Sequence, residues 1–206
     1  MRKLLRLILI PVFLIFGVLF ATHYTPRDLD TLYIPTSKKD TVTSNSNVHF
    51  NKMMDVLTSP RCINCHPNDN IPKQGDDGHP HYFGMAGGER NLGYEATKCI
   101  TCHQSENNAY SGVPGAPEWS LAPAKMKWEG LTRTEIAKSM LNPANNGGRN
   151  LEELMHHLTE HELVLWAWEP GVKADGTPRK KPPVPLEEYK KAVKEWIANG
   201  AIVPED

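Results

Sequence analysis

The pentapeptides Cys62-Ile63-Asn64-Cys65-His66 and Cys99-Ile100-Thr101-Cys102-His103 decide how the rest of the chain is read. Each has the form Cys-x-x-Cys-His, in which two thiols can form thioethers to the vinyl groups of one haem while the adjacent histidine binds its iron. All four cysteines of the chain fall in these motifs, so none is left for a disulfide. A zinc ribbon also uses paired Cys-x-x-Cys elements. Its pairs usually lie about 15 to 20 residues apart, closer than Cys62 and Cys99, and zinc requires no histidine directly after each pair. A thioredoxin-like redox pair needs a βαβ setting, for which no stretch reads as a strand. The expectation is two covalent haems c attached through Cys62, Cys65, Cys99 and Cys102, with His66 and His103 as proximal ligands.

Working outward, the 206 residues include 17 Pro and 15 Gly, so much of the chain is expected as loop around a thin core. Haem macrocycles would add apolar surface to such a core, and covalent attachment would restrain the loops as disulfides do elsewhere. The formal net charge of -1 gives no electrostatic case for nucleic acid.

Arg2, Lys3 and Arg6 precede an uncharged apolar run from Leu7 to Ala21, the layout of an export signal. The run is shorter than the roughly 20 residues that span a bilayer comfortably, and no clear small-x-small cleavage site follows it. Residues 1–21 are therefore read as a signal peptide or a membrane anchor, either of which places the remainder in the periplasm, soluble or tethered to the inner membrane. Residues 22–47 are polar and lack apolar periodicity, as a linker would, and 48–206 form the domain.

Within that domain, Phe50, Met53, Met54 and Leu57 have helical spacing, and Ser59-Pro60 ends their helix just before Cys62. The Gly-rich stretch from Pro67 to Lys98 reads as a loop wrapped over a haem. Trp119 and Trp128 are candidates for packing on a haem edge or in the core. Thr132 with Glu135, and Asn150 with Glu153, form capping boxes that start two helices. Thr159 with Glu162 offers a further cap, so the second of these helices is expected to bend before Leu163. Residues 172–185 form a proline-rich basic connection, read as a solvated loop. Leu186 to Asn199 is a last amphipathic helix ended by Gly200.

The sixth iron ligands are less constrained. On the helix from Leu151, a rotation of about 100° per residue sets His156 nearly opposite the apolar stripe and His157 on its flank. His157 is preferred there, with His161 as the alternate. In the loop His79-Pro80-His81, His81 is preferred over His79. Met85, Met126 and Met155 are further candidates.

Leu57-Thr58-Ser59-Pro60-Arg61, Gln74-Gly75-Asp76-Asp77-Gly78-His79-Pro80-His81 and Leu163-Val164-Leu165-Trp166-Ala167-Trp168-Glu169-Pro170-Gly171 together resemble bacterial dihaem cytochrome c-type proteins, a group often labelled isoquinoline 1-oxidoreductase subunit. The resemblance implies haem attachment and proximal ligation at the six residues of the two motifs, attachment after translocation, and partnership with a molybdenum hydroxylase. The chain itself carries no molybdopterin or iron-sulfur motif. The fold expected is mostly α: a small, loop-rich helical dihaem cytochrome c domain behind an N-terminal membrane or export segment. The function expected is periplasmic electron transfer to or from a redox partner protein, such as a membrane or periplasmic oxidoreductase, with no catalytic residue assigned. A dihaem peroxidase-like enzyme, which needs one open iron position and an acid-base group, and a haem-based sensor are the alternatives.

Overall fold

The computed structural model describes residues 38–205, which carry six α-helices. The segment 1–21 and most of the expected linker lie outside the described residues. The described part of that linker is helical: α1 runs over Lys38–Leu57, beginning in polar sequence well before the apolar repeat. Phe50, Met53, Met54, Val56 and Leu57 are all buried, so the repeat at its end fixes which face turns inward. Pro60 at the first turn of α2 (Pro60–Ile63) restarts the chain as a helix, because a proline there needs no N–H partner. The Cys62 motif thus follows directly on the end of α1.

α3 (Arg133–Leu141) and α4 (Leu151–Glu160) both begin in the expected capping boxes, each with the cap side chain and the Glu side chain bonding reciprocally to backbone N–H groups. The bend before Leu163 is present, but its pivot is His161, which precedes α5 (Glu162–Leu165). The Thr159 hydroxyl instead donates back to the Met155 carbonyl, 2.9 Å away, which keeps that residue inside α4. α6 (Leu186–Ala198) packs along α1 and α4, with Tyr189, Val193 and Trp196 fully buried, and Gly200 at φ 87° follows its end. The core joins α1, α3, α4 and α6, and Cys62, Ile63 and Met126 pack against it.

The region from Asn64 to Leu131 is loop-rich, yet it holds short strands where none was expected. Lys73–Gln74 (β1) pairs antiparallel with His79–Pro80 (β2), and Gly93–Tyr94 (β3) with Thr97–Lys98 (β4). Two-residue strands are too short to show an alternating pattern in sequence. Arg179, expected in a solvated loop, is half-buried; its guanidinium donates to the carbonyls of Pro170, Val172 and Gly112 and ties the 172–185 connection to the second motif's loop. Among the described residues no helix is long and apolar enough to cross a membrane.

Candidate functional site

Cys65 of the first pentapeptide lies close enough to Cys99 of the second for that thiol to oppose its ionisation. All four cysteines are free thiols. Burial pushes Cys62 up to about 12 and Cys65 up to about 11, the neighbouring Cys65 adding to the first shift and the Arg61 charge working against both. Burial also raises Cys99. A thioredoxin-type pair depends on a lowered thiol pKa, so the direction here is opposite to that chemistry.

His66 is held on two sides. Its Nδ1 donates to the Met126 carbonyl at 2.8 Å, and its ring lies flat against Trp128, with centroids 3.6 Å apart and planes 7° off parallel. A carbonyl can only accept, so the proton sits on Nδ1 and the lone pair is left on Nε2. Burial keeps this imidazole neutral, moving its pKa down to about 4 against the pull of the Met126 carbonyl. The segment that supplies both partners is pinned to the motif by its backbone. Ala122 N–H donates to the Cys65 carbonyl, and Trp128 and Glu129 N–H both donate to the His66 carbonyl.

His103 repeats the arrangement. Its Nδ1 donates to the Pro114 carbonyl at 2.7 Å, and Trp119 stacks on it at 4.5 Å, again with planes 7° apart. Trp166 continues the stack edge-on to Trp119 at 5.0 Å. Asn107 braces this side: its Oδ1 accepts from Trp166 Nε1 and from Gly115 N–H, and its Nδ2 donates to the Glu169 carbonyl. Burial lowers the His103 pKa, partly offset by the Pro114 carbonyl, while His81 and Arg179 add like charge.

The other histidines separate clearly. His81 lies with its ring 5.9 Å from that of His103, and its Nδ1 donates to the Tyr82 carbonyl at 2.7 Å, leaving Nε2 without a hydrogen bond. His79 is engaged at both nitrogens, by Asp77 and Gln74. His157 is half-buried and makes no hydrogen bond among the described residues. Its pKa is pushed down to about 4 by burial, then by Arg149 and by the His161, His66 and His156 imidazoles, which places it within electrostatic reach of His66. His161 is turned to Glu118, Nε2 to carboxylate 3.2 Å, while its buried Nδ1 has no hydrogen-bond partner among the described residues. His156 is exposed, as its helical position requires. An open cleft of about 560 Å³ runs along Gly148, Arg149, Glu153, His157 and His161, within the range of about 300–1,000 Å³ typical of cofactor and ligand sites.

Among the methionines, Met126 contributes its carbonyl to His66, and its sulfur accepts from Ser139 at 4.0 Å. Among the described residues, no three Cys, His, Asp or Glu side chains converge as a metal cage. The sequence reading placed Trp119 and Trp128 at a haem edge or in the core. Trp128 is indeed in the core, and each tryptophan also lies on the face of a motif histidine; no sequence signal marked the Met126 and Pro114 carbonyls. Compared with known proteins, the chain matches no family model, no curated protein and no solved structure.

Proposed function

We propose that the chain is a two-haem electron carrier, with one haem c attached through Cys62 and Cys65 and ligated by His66, and another attached through Cys99 and Cys102 and ligated by His103. The observation that carries this reading is the repeated state of the two motif histidines: Nδ1 committed to a carbonyl, one ring face covered by tryptophan, Nε2 free. Metal-binding histidines are characteristically oriented by such a bond from their other nitrogen.

Several further features suit the group. The thiols are unpaired. Trp128 Nε1 is buried beside His66 with no hydrogen-bond partner among the described residues, so a polar group bound there could satisfy it. Around the second motif, Ile100, Tyr82 and Phe83 expose apolar surface, Phe83 to 93%, of the kind a macrocycle would cover. Bound there, haem would supply a one-electron change at iron.

His81 would supply the second imidazole to the iron held by His103. Two imidazoles on one metal, each with a metal–nitrogen bond of about 2 Å, bring their ring centroids to about 6 Å, close to the 5.9 Å observed. His157, within electrostatic reach of His66, would supply a ligand to the other iron. With imidazoles so placed, neither iron would be open to peroxide, and that is the reason a carrier is proposed over a peroxidase. The residues would then bind, orient and dry the two centres, and the closeness of Cys65 to Cys99 supports exchange of electrons between them. A periplasmic location reached through residues 1–21, and a redox partner protein, complete the proposal.

Intact mass and the oxidised spectrum test it together. The expected protein carries two haems, both low-spin, and binds carbon monoxide poorly when reduced. His81→Ala and His157→Ala should each turn one haem high-spin, whereas His156→Ala leaves both unchanged. A mass with no haem overturns the reading. Unchanged low-spin spectra in His81→Ala or His157→Ala return that ligand to His79, His161 or a methionine.

A further inference from the structure

We infer that Trp128 and Trp119 are positioning residues that set the rotation of the two iron-binding imidazoles, and through it the electronic state of each centre. The inference rests on the two-haem reading above. A bond from Nδ1 to one carbonyl leaves an imidazole free to rock about the line through that bond. A flat ring packed on its face removes that freedom, because tilting the imidazole would drive it into the indole. Both motif histidines are restrained in this way, each with planes 7° from parallel, by tryptophans of the one loop that joins Cys102 to Thr132. The same flat contact recurs although Trp128 is buried in the core and Trp119 is only half-buried.

The restraint is tighter at the first site. The centroids there are 3.6 Å apart against 4.5 Å at the second, and Trp128 is itself buried in the helical core. Its backbone N–H also donates to the carbonyl of the very histidine it covers, so indole and imidazole cannot slide past one another. At the second site the equivalent grip comes from behind, with Trp166 set against Trp119 and held in turn by Asn107. Removing either indole should therefore leave the Nδ1 bond and the iron ligand in place while the ring takes several orientations.

The test is electron paramagnetic resonance of the oxidised holoprotein, with midpoint potentials and haem count, in wild type, Trp128→Phe, Trp128→Leu and Trp119→Leu. The expected result is two haems throughout. The low-spin signal of one haem shifts and broadens in Trp128→Leu, and that of the other in Trp119→Leu, each with a shifted potential for that centre. Trp128→Phe, which restores a flat ring, should stay close to wild type. Should Trp128→Leu not fold, Trp119→Leu decides the matter. Two haems with signals and potentials unchanged in the Leu variants overturn the inference and leave the electron-carrier reading standing. A wild-type protein without haem overturns that reading itself.

Discussion

His66 takes its carbonyl from Met126, 60 positions downstream, and its covering indole from Trp128; His103 takes its carbonyl from Pro114, only 11 positions away, and its indole from the same loop. The first set rests on the helical core, where Cys62, Ile63 and Met126 pack. The second stands among loops, with Cys102 exposed and Ile100 more than half so. Closing a short loop costs little chain entropy, so the second site can organise with few neighbours. The first exists only once α1, α3, α4 and α6 have packed and brought residues 122–129 back to Cys65 and His66. Damage to the helical core should therefore dismantle the first site and spare the second, and damage to the second loop should do the reverse.

The largest effect is expected from Trp196→Ala. Trp196 has no exposed surface, packs near Phe50 across the α1–α6 contact and donates Nε1–H to the Ile202 carbonyl at 2.8 Å. Truncating a buried tryptophan costs about 3–5 kcal/mol. Urea unfolding should show that loss. Hydrogen exchange should quicken at the Trp128 and Glu129 amides, both bonded to the His66 carbonyl, while the Asn108 and Gly112 amides of the second loop keep their rates. Equal acceleration at both places would mean the two sites are one cooperative unit.

Gly112→Ala probes the opposite direction. Gly112 sits at φ 67°, and a Cβ there would run into the backbone of Ala174. A left-handed conformation at a non-glycine residue costs about 1–3 kcal/mol, and the clash adds to it. The change falls on the loop that carries Pro114, and on a carbonyl that Arg179 holds. The Asn108 amide, bonded to Val113, should exchange faster, and His103 should lose its fixed Nδ1 partner, with the Trp128 amide unaffected. Faster exchange at Trp128 would show that the first site leans on the second loop.

The same contrast explains what the sequence made legible. Signals that act over a few residues could be read directly: both pentapeptides, the caps Thr132 with Glu135 and Asn150 with Glu153, the glycine after α6, and the half-buried flank on which His157 lies. The partners of His66 could not, because any of five tryptophans and every carbonyl is an equal candidate until the chain is folded. The β1–β2 and β3–β4 pairs are too short for periodicity to show. The first half of α1 has no apolar stripe, so propensity carries no mark of it. The pivot at His161 rather than Thr159 turned on a local competition, in which the threonine hydroxyl found the Met155 carbonyl inside the helix.

The smallest effect sharpens the claim that the first site is dry. Tyr189 has no exposed surface, lies near enough to Cys62 for that thiol to raise its pKa beyond what burial does, and its hydroxyl has no hydrogen-bond partner among the described residues. A buried hydroxyl with no partner gives up its bonds to water and gains none in return. Tyr189→Phe removes that oxygen and keeps the ring against Trp168, whose centroid is 4.8 Å away. The expected outcome is unchanged or slightly raised stability, by no more than about 1 kcal/mol, with the same haem content and spectrum as wild type. A loss of about 1 kcal/mol or more would mean that the hydroxyl has a partner in the mature protein, and the first site would then be wetter than its side chains imply. Because α6 also carries Trp196, the pair separates two roles of one helix: deleting the indole removes the packing that assembles the first site, while deleting the hydroxyl removes only a polar atom beside Cys62.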